Sequence, residues 1–221
     1  MNANEQQQLE QIKDYALGQA TDDETGHGVD HIMRVVRMAK TILRRIPQAN
    51  ELITLAAAYL HDTYDEKLVT DVPAAKQALR DTLTTIGLTA DQVSQIFAII
   101  DNMSYSKSLE GAAQPLTLEG QVVQDADRLD AIGAIGITRA IYYGGRFGEK
   151  VYDPSIAPRT DMNHDEYRNL DHETIINHFY EKLLKLKDLM NTDVAVSIAA
   201  HRQEVMVDFL GEYQAEWHGE E

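Results

Sequence analysis

No cysteine occurs among the 221 residues, which excludes a disulfide framework and thiolate chemistry. Positive charge is scarce: 20 Lys and Arg stand against 36 Asp and Glu, for a net charge of −16. A field of that sign argues against DNA or RNA polymers as partners, since these bind through basic surfaces. A small phosphorylated ligand stays open, because a metal ion and a few local cations suffice to hold it. No apolar run approaches the roughly 20 residues of a membrane span, and residues 1–16 lack the apolar core of a signal peptide. A cytoplasmic protein with no membrane association is expected. Strand alternation, internal repeats and a linker between equal halves are missing as well.

What is present reads as helix. Apolar residues make up 43% of the chain and charged residues 25%, an ordinary globular balance. Residues 5–20 carry Leu9, Ile12, Ala16 and Leu17 at helical spacing, and a polar loop follows to Gly28. Ile32, Val35, Val36, Ala39, Ile42, Leu43 and Ile46 continue the pattern up to Pro47. Further helices are expected over 72–87, 91–103, 118–143, 171–190 and 193–216. Residues 143–169, with Gly144, Gly145, Gly148, Pro154 and Pro158, form a long irregular stretch of the kind that serves as a lid or an insert. The expectation is a single all-α domain, with an N-terminal helix and loop over 1–25 leading into a main domain over 26–221.

The chain is organised around His61-Asp62. Residues 52–60 are almost wholly apolar, so they describe a helix buried on every side. Ending such a helix in an imidazole and a carboxylate is costly unless both find partners. Two further polar positions interrupt apolar helix faces: His31 shares a face with Val35 and Met38, and Asp127 with Val123, Asp130 and Ala134. Two imidazoles and two carboxylates suit one divalent ion with positions left open for water and substrate. Spacing alone does not show that the three helices converge.

These residues also carry a resemblance. His31-x-x-Arg34-Val35, His61-Asp62 and Ala126-Asp127-Arg128-Leu129-Asp130 look like the HD-domain metal-dependent phosphohydrolases, and the chain is similar to their YedJ/YpgQ-like bacterial branch. The match includes residues 125–137, Tyr143-Gly144-Gly145, 178–183 and 187–192, and it covers nearly the whole chain from residue 26. The resemblance implies a helical bundle around a single metal site, with His31, His61, Asp62 and Asp127 as ligands. Asp65 and Glu66 fall where related hydrolases, including the alarmone hydrolases, keep an acidic pair beside the attacking water; Asp65 would orient or deprotonate it. Relatives often read His-Asp-x-x-His where this chain has His27-Gly28-Val29-Asp30-His31, so Gly28 replaces an Asp and His27 is assigned to substrate or site only by position. The two-metal phosphodiesterases of the superfamily need further histidines, and that set is not found.

Phosphates require positive charge beyond the ion. Lys67 and Arg128 lie nearest the ligands in sequence. His178 and Lys182 fall in a matched family segment and recur with Lys185 at helical spacing, while Glu181 in the same turn can pair with a neighbour. His164, His172, His201 and His218 match no ligand pattern. The expected cofactor is one divalent ion, Mn first among Fe, Co, Ni, Zn and Mg. The expected substrate, from resemblance, is a nucleoside triphosphate cleaved to monophosphate and pyrophosphate. Alternatives are a monophosphate phosphatase or phosphodiesterase on the same site, or a nucleotide sensor without turnover. Whether the chain forms a homo-oligomer is left open.

Overall fold

Side-chain caps open most of the helices. Asn2, Asn50, Asp71, Thr89, Thr174 and Thr192 each accept a hydrogen bond from a backbone N–H of the first turn, which satisfies donors that the helix itself leaves open. A computed structural model describes residues 1–20, 26–66, 68–105, 114–159 and 174–220. Its helices are α1 (Ala3–Gln19), α2 (Val29–Leu43), α3 (Glu51–Leu60), α4 (Val72–Ile86), α5 (Ala90–Asn102), α6 (Leu118–Asp130), α7 (Gly133–Phe147), α8 (Ile175–Glu181), a 3₁₀ helix (Leu183–Leu189) and α9 (Asp193–His218). Apart from one isolated bridge between Lys150 and Thr174, the described residues form no β-structure. The fold is all-α, and no described helix is long and apolar enough to cross a membrane.

The chain divides into two compact units, Met1–Asp127 and Arg128–Glu221. In the first, α3 packs against α1, α2 and α5. Every residue from 52 to 60 is buried, as a helix without a polar face requires. α2 turns His31, Ile32, Val35, Val36, Ala39 and Ile42 inward, a stripe at helical spacing that carries a histidine among aliphatics. α4 lies on α1 and α5, and Gln8 of α1 donates to the carbonyl of Gly87 at 2.9 Å.

In the second unit α7 packs on α9 and α8, and the 3₁₀ helix packs on both α8 and α9. Phe179, Ile176, Leu186, Ala199 and Met206 are among its buried residues. The helix expected over 118–143 is broken after Asp130. Gly133 takes φ +75° there, and a Cβ on it would lie 2.9 Å from Cγ of Arg202. The Arg202 guanidinium donates to the carbonyl of Leu129, which also accepts from the Ile132 N–H at 3.3 Å at the end of α6. Gly136 is the tighter position, because an added Cβ would stand 2.3 Å from the Ala131 carbonyl oxygen. Backbone cannot move aside as a side-chain tip can. Gly136→Ala should therefore cost about 2–3 kcal/mol and lower Tm by roughly 4–10 °C, read by a thermal melt. An unchanged Tm would contradict the packing described.

Two other expectations are revised. α7 runs on through residues 143–147, so the irregular stretch begins at Gly148, whose φ of +70° ends the helix. Its part beyond residue 159 lies outside the described residues. The helix expected over 171–190 is α8 followed by the 3₁₀ helix, with Lys182 (φ −134°, ψ −58°) between them. His178, Lys182 and Lys185 thus share no uninterrupted α-helical face.

The stretch from 148 to 159 is anchored to α8 by hydrogen bonds. The N–H groups of Ile175 and Ile176 donate to the carbonyls of Lys150 and Val151, both at 3.0 Å. The Asn177 amide donates to Ile156 O at 2.9 Å. Glu181, 1% exposed in its side chain, accepts from the Arg159 backbone N–H at 2.9 Å, Nε at 3.0 Å and Nη2 at 2.6 Å. The neighbour that Glu181 pairs with is Arg159.

Candidate metal centre

α3 ends at His61, whose side chain folds back on its own helix. Nδ1 lies 3.0 Å from the carbonyl of Ala58, one of the acceptors that a helix C-terminus leaves open. A carbonyl only accepts, so the proton sits on Nδ1 and the lone pair of the neutral ring is on Nε2. This is the arrangement that a metal-binding histidine needs, with one nitrogen tied to the backbone and the other aimed away. His61 Nε2 lies 3.1 Å from Nε2 of His31 in the first turn of α2. Two facing ring nitrogens at that distance require a shared proton or a cation.

Two carboxylates flank the pair. Asp62 Oδ2 is 3.4 Å from His31 Nε2 and 3.3 Å from His61 Nε2; Asp127 Oδ1, from α6, is 3.6 Å and 3.8 Å from the same atoms. Neighbouring donors on one ion with bonds of about 2.1 Å stand roughly 3.0–3.4 Å apart; the His31, His61 and Asp62 spacings match that, Asp127 Oδ1 stands a few tenths of an ångström farther off, and His31, His61 and Asp127 form a group that could hold a metal ion. The donor types fit as well, since imidazole and carboxylate suit Mn, Fe, Zn and their neighbours. Side-chain exposure is 1% at His31 and 2% at His61 but 35% at Asp127. The imidazoles form the floor, and the site opens towards solvent on the Asp127 side.

Burial pushes the Asp62 carboxyl upward, but electrostatic attraction to the neighbouring His61 and His27 rings and hydrogen bonds from His27 and His31 outweigh it and hold the group well below the usual carboxylate range. Asp62 is thus an anion at neutral pH, as a ligand must be.

The turn after Asp62 is braced from two helices. Thr63 N–H donates to Leu60 O, and Asp65 N–H to Asp62 O. Tyr64, 5% exposed, stacks on Phe97 at 5.7 Å and donates to Asp101 Oδ1 at 3.1 Å, which Lys76 of α4 also approaches at 2.6 Å. Burial and the Asp101 carboxylate push the Tyr64 hydroxyl far above its ordinary range, so it stays a neutral donor. Sequence reasoning did not single out Tyr64, Lys76 or Asp101. The one available signal was an aromatic residue two positions beyond His61-Asp62.

His27, His31, His61, Asp62 and Asp127 are brought together. His27 joins through Nδ1, 2.9 Å from Asp62 Oδ2. Asp65 and Glu66 follow directly on the braced turn. Lys67, His164 and His172 lie outside the described residues. Arg128, expected near a phosphate, donates to the carbonyl of Leu189 and is buried in that role. His178 and Lys182 belong to the second unit, in α8 and at its C-cap.

Residues 28–132 match the family model of the HD domain. The protein YpgQ of Bacillus subtilis is 34% identical over 215 residues, spanning 97% of this chain and 96% of that one. A solved structure from Lactobacillus plantarum is 53% identical, with a TM-score of 0.86 over 96% of this chain and 97% of the other. The structure of YpgQ in complex with ADP aligns with a TM-score of 0.77 at 32% identity, covering 96% of each chain. An HD-superfamily hydrolase from Bacillus thuringiensis, 36% identical, aligns with a TM-score of 0.75 over 97% of this chain and 98% of its own.

Proposed function

Because this chain belongs to the HD-domain superfamily of metal-dependent hydrolases, we propose that it is a Mn²⁺-dependent phosphohydrolase that cleaves nucleoside triphosphates to monophosphate and pyrophosphate. The observation that carries the reading is that Asp62 Oδ2 and Asp127 Oδ1 each stand within 3.3–3.8 Å of the Nε2 atoms of His31 and His61, which are themselves 3.1 Å apart. The ADP bound by the B. subtilis relative supports a nucleotide as substrate.

A divalent ion held by these four residues would supply Lewis acidity to the phosphoryl group and activate the attacking water. In the proposed reaction, a water oxygen bonds to the α-phosphorus while the bond from that phosphorus to the bridging oxygen breaks, and the electron pair leaves with pyrophosphate. Asp65 orients the water and takes its proton; Glu66 is the second member of the acidic pair. His61 keeps its Nε2 lone pair directed inward because its Nδ1 proton is held by Ala58 O. His178 and Lys182 are proposed as phosphate contacts on the sequence match alone. Arg128 is better read as a brace for the Leu189 backbone.

The test is product analysis. Chelator-stripped protein is incubated with ribo- and deoxyribonucleoside tri-, di- and monophosphates in Mn²⁺. Pyrophosphate and monophosphate from the triphosphates are expected. Free phosphate from monophosphates would transfer the assignment to a phosphatase, and nucleotide binding without turnover in any divalent metal would overturn it. Asp65→Ala should lower kcat about 10²–10⁴-fold, the usual contribution of a general base, and leave Mn²⁺ affinity unchanged by calorimetry. Full activity in that variant would remove Asp65 from the mechanism.

A further inference from the structure

Three imidazoles meet at one oxygen. Asp62 Oδ2 lies 2.9 Å from His27 Nδ1, 3.3 Å from His61 Nε2 and 3.4 Å from His31 Nε2. Two of these nitrogens belong to the proposed ligand set, and the third does not. A carboxylate oxygen accepts, so His27 donates through a proton on Nδ1. The same ring meets His31 edge-on, with centroids 5.5 Å apart and planes at 83°. His27 therefore touches two proposed ligands at once, one by hydrogen bond and one by packing.

The loop is shaped to put it there. Gly26 takes φ +90°, a conformation that glycine adopts without penalty. Gly28 is the N-cap of α2 and makes no side-chain cap.

We propose that His27 is a positioning residue, holding the Asp62 carboxylate and the His31 ring in the orientation that binds the ion. The inference rests on the metal reading above and goes beyond it by assigning a role outside the four ligands. Ligating carboxylates and histidines left without such outer partners lose about 10–100-fold in metal affinity. The 2.9 Å separation is a hydrogen-bond length with the donor pointing at a ligand oxygen, so His27 acts on the ion through Asp62.

Mn²⁺ titration calorimetry on the full chain tests this, with wild type, His27→Ala, His27→Asn and His61→Ala, each checked for helical content by circular dichroism. Asparagine places an N–H donor near the position of Nδ1 but is a poor ligand for the ion. Wild type should bind, His61→Ala should not, and His27→Ala should bind about 10–100-fold more weakly. His27→Asn should return to near the wild-type value. Wild-type affinity in His27→Ala overturns the proposal, and so does an Asn variant as weak as the Ala one, which would make the ring itself a ligand. Absence of Mn²⁺ binding by wild type would instead sink the metal reading, and this inference with it.

Discussion

His61→Ala should abolish Mn²⁺-dependent hydrolysis, with kcat/KM falling at least about 1,000-fold, since an ion in such a site supplies several kcal/mol of transition-state stabilisation. The size of the effect follows from where the side chain stands. His61 presents Nε2 to His31 at 3.1 Å and to both carboxylates within 3.8 Å, so its removal opens the middle of the donor set. The loss should also be visible without turnover. Mn²⁺ at a hundred times its Kd stabilises a folded protein by about 2.7 kcal/mol, which for a chain of this length raises Tm by roughly 5–10 °C. Wild type should show that rise and His61→Ala should not. The variant also strands the Ala58 carbonyl, at a cost of about 1–3 kcal/mol, so the comparison belongs between metal-free and metal-loaded samples of the same variant. A fully active, folded His61→Ala protein would place the reaction elsewhere.

Glu181→Ala should be the most damaging single change to the second unit. Its carboxylate is 1% exposed and holds Arg159 through the backbone N–H, Nε and Nη2. Breaking a buried pair by removing one partner costs about 3–5 kcal/mol. The lower end applies here, because the Arg159 side chain is 25% exposed and water can take over part of its solvation. A drop in Tm of roughly 6–12 °C follows. Limited proteolysis should show new cleavage at residues 157–159, because the other hydrogen bonds described from α8 to this stretch, from Ile175, Ile176 and Asn177, reach only Lys150, Val151 and Ile156. Glu181→Gln keeps the shape and two acceptor lone pairs, and should fall between wild type and Ala. If Glu181→Ala melted and resisted protease like wild type, the ion pair would be a surface ornament of little energetic weight.

Much of the first unit is legible from periodicity. A wholly apolar run at 52–60 is comfortable only where other helices cover it on every side, and α3, packed on α1, α2 and α5, is buried throughout that run. Caps such as Asn50, Asp71 and Thr89 mark helix starts because the open N–H groups of a first turn need acceptors nearby in sequence. The residue types at 31, 61, 62 and 127 likewise suggested a shared task, since imidazoles and carboxylates together are groups that could hold a metal ion.

The second unit was read less well, for a local reason in each case. The break between α6 and α7 depends on Gly133 with Arg202 lying where its Cβ would be, and residue 202 is far away in sequence. The split of 171–190 into two helices falls at Lys182, whose side chain gives no sign of a stop. Arg128 looked like a phosphate ligand beside Asp127 until its guanidinium was found on Leu189 O.

The sequence by itself determined that the chain is helical, that α3 is buried on every side and that His31, His61, Asp62 and Asp127 are the candidates for a metal site, because periodicity and residue type are properties of short stretches. Only the tertiary structure decided that Nε2 of His31 and of His61 face each other, that Ala58 sets the His61 tautomer and that His27 reaches Asp62. The His31–His61 and His27–Asp62 distances join residues 30 and 35 positions apart and are set by how helices pack, which no local pattern encodes; the Ala58–His61 contact is local but depends on the rotamer that His61 adopts.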